Sequence, residues 1–243
     1  MIYIQKQSTP SSIEREVATL KAESGWKSLA DNDTEGLRTY FDRLDKDIIR
    51  TALHSEQHGL CAYCMRRIRQ DNSMKIEHWK PVQGNKDGVL DYKNWLGCCD
   101  GGESATGNKK VLSCGAAKGD KSITVSPWDT NHMRKIMYRS NGTIETRPKD
   151  EQLEFDINDV LHLNGKMNKN RQIEQDTATE LVKNRRDVYR GYCIFMKAVE
   201  RKVGANELKI KNAVRKRIRE IKETLEYEQF AGVWLYFLER RLR

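Results

Sequence analysis

Cysteine placement constrains this chain more than any other feature. Five of its six cysteines fall in one stretch, at Cys61, Cys64, Cys98, Cys99 and Cys114. A two-residue gap, as in Cys61-Ala62-Tyr63-Cys64, lets both thiolates of a tight knuckle reach one tetrahedral zinc ion. A redox pair has the same spacing, but it opens a helix after a strand in a βαβ pattern. No such pattern surrounds Cys61. A second ligand pair must then come from Cys98, Cys99 and Cys114. Adjacent side chains diverge, so one of Cys98 and Cys99 is not a ligand. We assign Cys99 and Cys114 to structural zinc and give Cys98 no role. Gly101, Gly102 and Gly107 between them read as a flexible insertion. Cys193 sits at helical spacing among Tyr192, Phe195 and Met196 and reads as a buried small hydrophobe.

In a reducing compartment, clustered cysteines hold metal more often than they form disulfides. The residues Met1 to Lys6 lack the basic-then-apolar order of a signal peptide. The chain has no run of about 18 apolar residues to span a membrane. A cytoplasmic protein is the expectation. Hydrophobic residues make up 37% of the chain and charged residues 33%, which favours long solvated helices around a small core. The formal net charge of +9 favours a polyanion partner such as nucleic acid, because each neutralised phosphate releases counterions. A basic surface that serves only solubility fits the same number.

The order of elements follows from periodicity and turn chemistry. Met1 to Ile4 is a short strand or extended arm, and Pro10-Ser11-Ser12 opens a helix through Ile13, Val17 and Leu20. Thr34 can cap a helix whose apolar stripe runs from Leu37 through Phe41, Leu44, Ile48 and Ile49 to Leu53. From residue 59 to residue 120 glycine is frequent and periodicity weak, as in a small domain where ligation replaces part of the core. Lys75 to Trp79 reads as a short strand. Asp91 to Leu96 reads as a helical turn or loop, and a helix starts after Cys114 with Gly119 ending it. Asn141-Gly142 between β-prone runs predicts a hairpin. A short helix follows at residues 156–161. Long helices then run from Ile173 to Val199, from Ile210 to Leu225, and from Phe230 to Leu238. Lys183-Asn184-Arg185-Arg186 and Arg215-Lys216-Arg217-Ile218-Arg219 read as solvated faces, or as phosphate-tracking or docking surfaces. Three segments result: residues 1–57, helical; 58–150, the metal-held core with its hairpin; and 151–243, helical.

Glu77 and His78 stand between the two sets of cysteines. A carboxylate can hold a hard divalent cation such as Mg²⁺, and an imidazole can take a proton from water near neutral pH. Neighbours on a strand point to opposite faces, so a bulge or twist must bring them to one site. The remaining histidines, His54, His58, His132 and His162, have no such setting.

The order of Cys61-x-x-Cys64, Glu77-His78, Asn94, Cys99, Cys114 and Asp120 resembles the HNH, or ββα-metal, nuclease superfamily in its zinc-bound form. The wording from Ile76 to Pro81, from Asn94 to Gly102 and from Cys114 to Asp120 is similar to the PtuB-type nuclease subunits of Septu anti-phage systems and their retron-associated relatives. The likeness covers about residues 58–128. It implies a mainly α fold with a small zinc-bound ββα-metal core and long C-terminal helices. It also implies hydrolysis of phosphodiester bonds, with DNA the favoured substrate. His78 would be the general base, with Asn94 hydrogen-bonded to its ring. Lys118 would touch the scissile phosphate or lie in solvent. Glu77 and Asp120 would bind a catalytic Mg²⁺ or Mn²⁺, Asp120 standing where the family commonly has His or Asn. Cys61, Cys64, Cys99 and Cys114 would hold structural Zn²⁺. An ATPase subunit of the PtuA type would be the partner. A non-catalytic zinc module for nucleic acid or protein, and an RNA (tRNA)-directed HNH nuclease, are the alternatives.

Overall fold

The computed structural model of the protein describes residues 1–104, 111–165 and 180–243. Gly107 of the expected flexible insertion and the helical start through Ile173 lie outside the described residues. What is described is mainly helical, with two small two-stranded sheets.

Residues 1–4 form an extended arm with Met1 and Ile4 buried, and the Ile4 amide donates to the Pro127 carbonyl at 2.9 Å. Helix α1 (Ser11–Ala22) buries Ile13 and Leu20, and α2 (Ser24–Ser28) buries Trp26. The long apolar stripe folds as two helices, α3 (Thr34–Asp42) and α4 (Lys46–Glu56), where the sequence suggested one. Asp45 is the cause. Its carboxylate accepts from the Asp47 and Ile48 amides at 3.0 and 3.1 Å, which restarts the helix. Asp33, rather than Thr34, caps α3 through the Gly36 amide. The stripe still faces inward, with Leu37, Phe41, Ile49 and Leu53 buried.

Strand β1 (Lys75–His78) pairs antiparallel with β2 (Trp95–Cys98), Lys75 opposite Cys98 and His78 opposite Trp95. Between them lie α5 (Lys86–Val89) and a tight helical turn, Tyr92–Asn94. Trp95 and Leu96 are therefore in a strand, not in a helical turn or loop. Helix α6 (Cys114–Lys118) follows and stops at Gly119, whose φ is 55°. Helix α7 (Thr130–Lys135), capped by Asp129, leads into β3 (Ile136–Tyr138) and β4 (Ile144–Thr146), the hairpin expected around Asn141-Gly142. Helix α8 (Glu151–Phe155) runs into a single wide helical turn, Asp156–Val160.

Helices α9 (Glu180–Val203), α10 (Glu207–Glu223) and α11 (Ala231–Leu242) pack on one another. Arg185 departs from the expected solvated or polyanion-facing run, being 1% exposed. Its guanidinium donates to the carbonyls of Gly142 and Leu163 at 2.6 and 2.7 Å, so it ties α9 to the tip of the β3–β4 hairpin. Cys193 is half-buried, less enclosed than its helical spacing implied. One buried cluster runs through the described chain from Met1 to Leu238 and includes the cysteine knuckle.

Candidate functional site

Four thiols converge. Sulfur–sulfur distances are 3.9 Å for Cys61–Cys114, 3.7 Å for Cys64–Cys99 and 3.8 Å for Cys99–Cys114. All four sulfurs lie within 4.8 Å of one another and all four residues are buried. A tetrahedron with zinc–sulfur bonds of about 2.3 Å has edges of about 3.8 Å. The quartet therefore fits a four-thiolate zinc ion. Cys98 is buried beside it on β2 and does not belong to the quartet.

Separate pieces of chain supply these sulfurs. The knuckle is closed by the Met65 amide on the Cys61 carbonyl at 3.0 Å, and the Ala62 amide binds the Gly97 carbonyl of β2 at 3.0 Å. Gln57, just past α4, completes the join. Its side chain donates to the Leu60 and Gly97 carbonyls at 2.9 and 2.7 Å and accepts from the Gly97 amide at 2.7 Å. Cys99 follows β2 directly, and Cys114 opens α6. Burial pushes the Cys61 thiol up, but hydrogen bonds from Cys114 and Cys64 outweigh it and hold Cys61 well below the usual thiol range. Burial drives Cys64 well above that range, and the bond to Cys61 does the same to Cys114. A divalent cation is what allows four thiolates to lie this close together.

A cavity of about 720 Å³ opens beside this frame. Glu77 and His78 of β1, Lys118 of α6 and Asp120 all line it, with Arg38 and Phe41 of α3. Four of the residues singled out in the sequence therefore line one cavity. Glu77 and His78 both reach it although they are strand neighbours, because a two-stranded ribbon twists strongly. Gly115 leaves the room: a Cβ there would stand 2.6 Å from Glu77 Oε2.

His78 Nε2 lies 3.0 Å from the Val89 carbonyl oxygen. A carbonyl only accepts, so Nε2 carries the proton and Nδ1 is the basic nitrogen of a neutral ring. Burial lowers the His78 pKa to about 4, against the Val89 bond, which raises it. The ring packs edge-on against Phe41, with centroids 4.6 Å apart. The expected bond from Asn94 to this ring is absent. Asn94 is buried and instead clasps the Lys80 backbone, donating to its carbonyl at 3.0 Å and accepting from its amide at 2.8 Å. It also donates to the Gly88 carbonyl at 2.9 Å. Asn94 thus holds the segment that presents Val89, and acts on His78 one link removed.

Lys118 does not lie in solvent, one of the two places expected for it, although it lines the cavity. It is 2% exposed, and its ammonium lies 2.8 Å from Glu77 Oε1 and 3.0 Å from the His78 carbonyl. Burial raises the Glu77 pKa, opposed by Lys118. Glu77 Oε1 has no aligned hydrogen-bond donor; its contact is this ion pair. Asp120 is half-exposed and pairs with Arg38 at 2.9 Å. Magnesium commonly takes one or two protein carboxylates and completes its shell with water and phosphate. The buried carboxylate of Glu77, with Asp120 lining the same cavity, fits that modest share. Among the described residues, the thiol quartet is the one group of three or more metal-ligating side chains gathered within 4.8 Å.

Of the background histidines, His58 stacks on Tyr227 with centroids 3.9 Å apart, and His54 is buried against Gln70. Sequence reasoning missed Gln57, Arg38, Phe41 and the Val89 carbonyl. The inward stripe of α3 carried a signal for Phe41; the Val89 carbonyl is backbone and leaves none.

A buried thiol quartet thus stands beside a cavity lined by a neutral histidine and the carboxylates of Glu77 and Asp120. No protein-family model matches the chain. Over 150 residues it is 25% identical to a protein of Vibrio cholerae serotype O1 biovar El Tor whose name describes it as a candidate HNH endonuclease of retron Vc95. The alignment covers 60% of this chain and 66% of that protein, just under two thirds of its length. The likeness is distant and supports a nuclease of the HNH kind. No helix among the described residues is long and apolar enough to cross a membrane.

Proposed function

We propose that the chain is an HNH endonuclease that hydrolyses phosphodiester bonds in DNA, as the effector subunit of an anti-phage complex with an ATPase partner. The observation that carries the reading is His78 held as a neutral base, in one cavity with Glu77, Lys118 and Asp120, on a β1–β2–α6 unit closed by four cysteines. The antiparallel β1–β2 pair with α6 after it supports the ββα-metal reading that the sequence resemblance implies.

The chemistry follows from the chain's own groups. Val89 fixes Nε2–H, so Nδ1 can take the proton of an attacking water. Asn94 and Trp95, whose indole donates to the same Val89 carbonyl at 2.9 Å, keep that acceptor in place. Burial keeps the ring unprotonated at neutral pH. Lys118 balances the charge of buried Glu77, and Arg38 that of Asp120. A Mg²⁺ or Mn²⁺ ion bound by Glu77 and Asp120 would supply neutralisation of charge on the scissile phosphate and the departing oxygen. Zinc in the quartet would serve structure alone.

The test is cleavage by the purified chain, with and without its genomic neighbours, in Mg²⁺ or Mn²⁺, on DNA and on RNA. His78→Ala is expected to keep its fold and its zinc and to cut about 10²–10⁴-fold more slowly. Undiminished cutting by that variant removes His78 as the base. Cutting of RNA in preference to DNA transfers the same site to the other polymer.

A further inference from the structure

The charge of the molecule is not concentrated at the cavity just described. That cavity is balanced: Arg38, Lys75 and Lys118 face Asp42, Glu77 and Asp120. A second cavity, of about 800 Å³, lies between α7, the β3–β4 hairpin and α11, and shares no lining residue with the first. Arg134, Lys135, Arg147, Arg240 and Arg243 line it against one acidic side chain, Glu239. Glu239 is already paired with Lys222 at 3.1 Å, and Lys135 with Asp150 at 2.8 Å. Arg134 and Arg147 are exposed and have no carboxylate partner among the described residues. Unanswered guanidiniums around a concavity make a standing site for phosphate oxygens.

The same concavity carries aromatic surface. Tyr3 is 46% exposed and lines it together with Tyr236. The Arg240 guanidinium lies over the Tyr236 ring, 5.5 Å from its centroid. An adjoining hollow of about 320 Å³ continues past Tyr3 and Tyr236 to Tyr138 and Tyr227, with Lys222 at its side. Cations that track a backbone, beside ring faces on which bases stack, are the two parts of a single-strand binding groove. A duplex buries its base faces and cannot use the rings, and a free phosphate needs none.

We infer that this cavity binds single-stranded nucleic acid, with phosphates on Arg134, Arg147 and Arg240 and an unpaired base on Tyr3. DNA and RNA share that chemistry. The inference is independent of whether the first cavity cuts. It holds or fails by binding alone.

The test uses the full chain carrying His78→Ala, so that cutting cannot disturb binding. Fluorescence anisotropy is read on labelled single-stranded 12-mers of DNA and of RNA, and on a duplex, across a salt series. Arg134→Gln with Arg147→Gln is expected to weaken single-strand binding about tenfold or more. It is also expected to flatten the salt dependence by about 1.4 in slope, two contacts at about 0.7 each. Tyr3→Ala is expected to weaken it about fivefold or more, with Tyr3→Phe close to the parent, since stacking needs the ring and not the hydroxyl. Arg215→Gln with Arg219→Gln, exposed on α10, removes equal charge elsewhere and is expected to leave binding unchanged. Equal losses from the α10 pair and the cavity pair, or no change from either, overturn the inference. So does tighter binding of the duplex than of the single strands. The preferred strand, DNA or RNA, identifies the occupant.

Discussion

Acid should destabilise this protein through His78, and the effect can be sized. The unfolded imidazole titrates near 6.5, whereas burial lowers the folded value to about 4. Between those values the unfolded chain binds a proton that the folded chain refuses. Stability therefore rises with pH through this window, is flat above about 6.5, and carries its full penalty below about 4. The difference corresponds to about 3 kcal/mol at most and about 2 kcal/mol at pH 5. These are upper figures, because the ring is only partly buried and lines an open cavity. The perturbation is His78→Phe, which keeps a ring against Phe41 and Trp95 and removes the titrating group. Urea unfolding is followed at pH 7.5 and pH 5 for both proteins. Protonation of the cysteine quartet affects both alike and cancels in the comparison. The parent should lose about 2 kcal/mol more than the variant. Parallel losses would mean that His78 is not held neutral by its surroundings, and the base assignment loses its physical ground.

Other outcomes follow from particular contacts. Cys64→Ser should lose bound zinc and lower the melting temperature, and a chelator should lower the parent's melting temperature while leaving the variant's unmoved. Gly115→Ala places a methyl 2.6 Å from Glu77 Oε2, the far end of a movable side chain. Its melting temperature should stay near the parent's while cleavage falls; a fully active variant would mean that the Glu77 position is not critical. Gly142→Ala meets the Val182 carbonyl at 2.1 Å at a φ of +92°. It should cost at least about 1 kcal/mol in urea unfolding, since the hairpin tip can no longer seat against α9.

How far the chain could be read beforehand depends on which interactions leave a pattern. Cys61 and Cys64 were legible because tetrahedral ligation favours thiols at knuckle spacing, and Cys99 rather than Cys98 converges with them and with Cys114. The hairpin at Asn141-Gly142 and the end of α6 at Gly119 were legible because each needs unusual backbone angles. The break between α3 and α4 was not, because an apolar stripe records which face is buried and not whether the backbone is continuous across Asp45. Asn94 was found as a residue and misread as a contact, since no sequence pattern states that the partner of His78 is a main-chain oxygen. Arg185 was read as one of a charged run. Its partners, Gly142, Leu163 and Asn164, lie about 20 to 40 residues away in sequence.

Helix α6 is five residues long, and its two ends belong to different machines. Cys114 at its start is a corner of the thiol frame, and Lys118 at its end neutralises Glu77. So short a rod has no slack to absorb a displaced corner. Zinc starvation, or oxidation of the cysteines, would therefore be felt at the carboxylate within one turn and a half of helix. Under the proposed function, metal supply and thiol redox state would then condition the cavity of Glu77 and His78 without touching either residue.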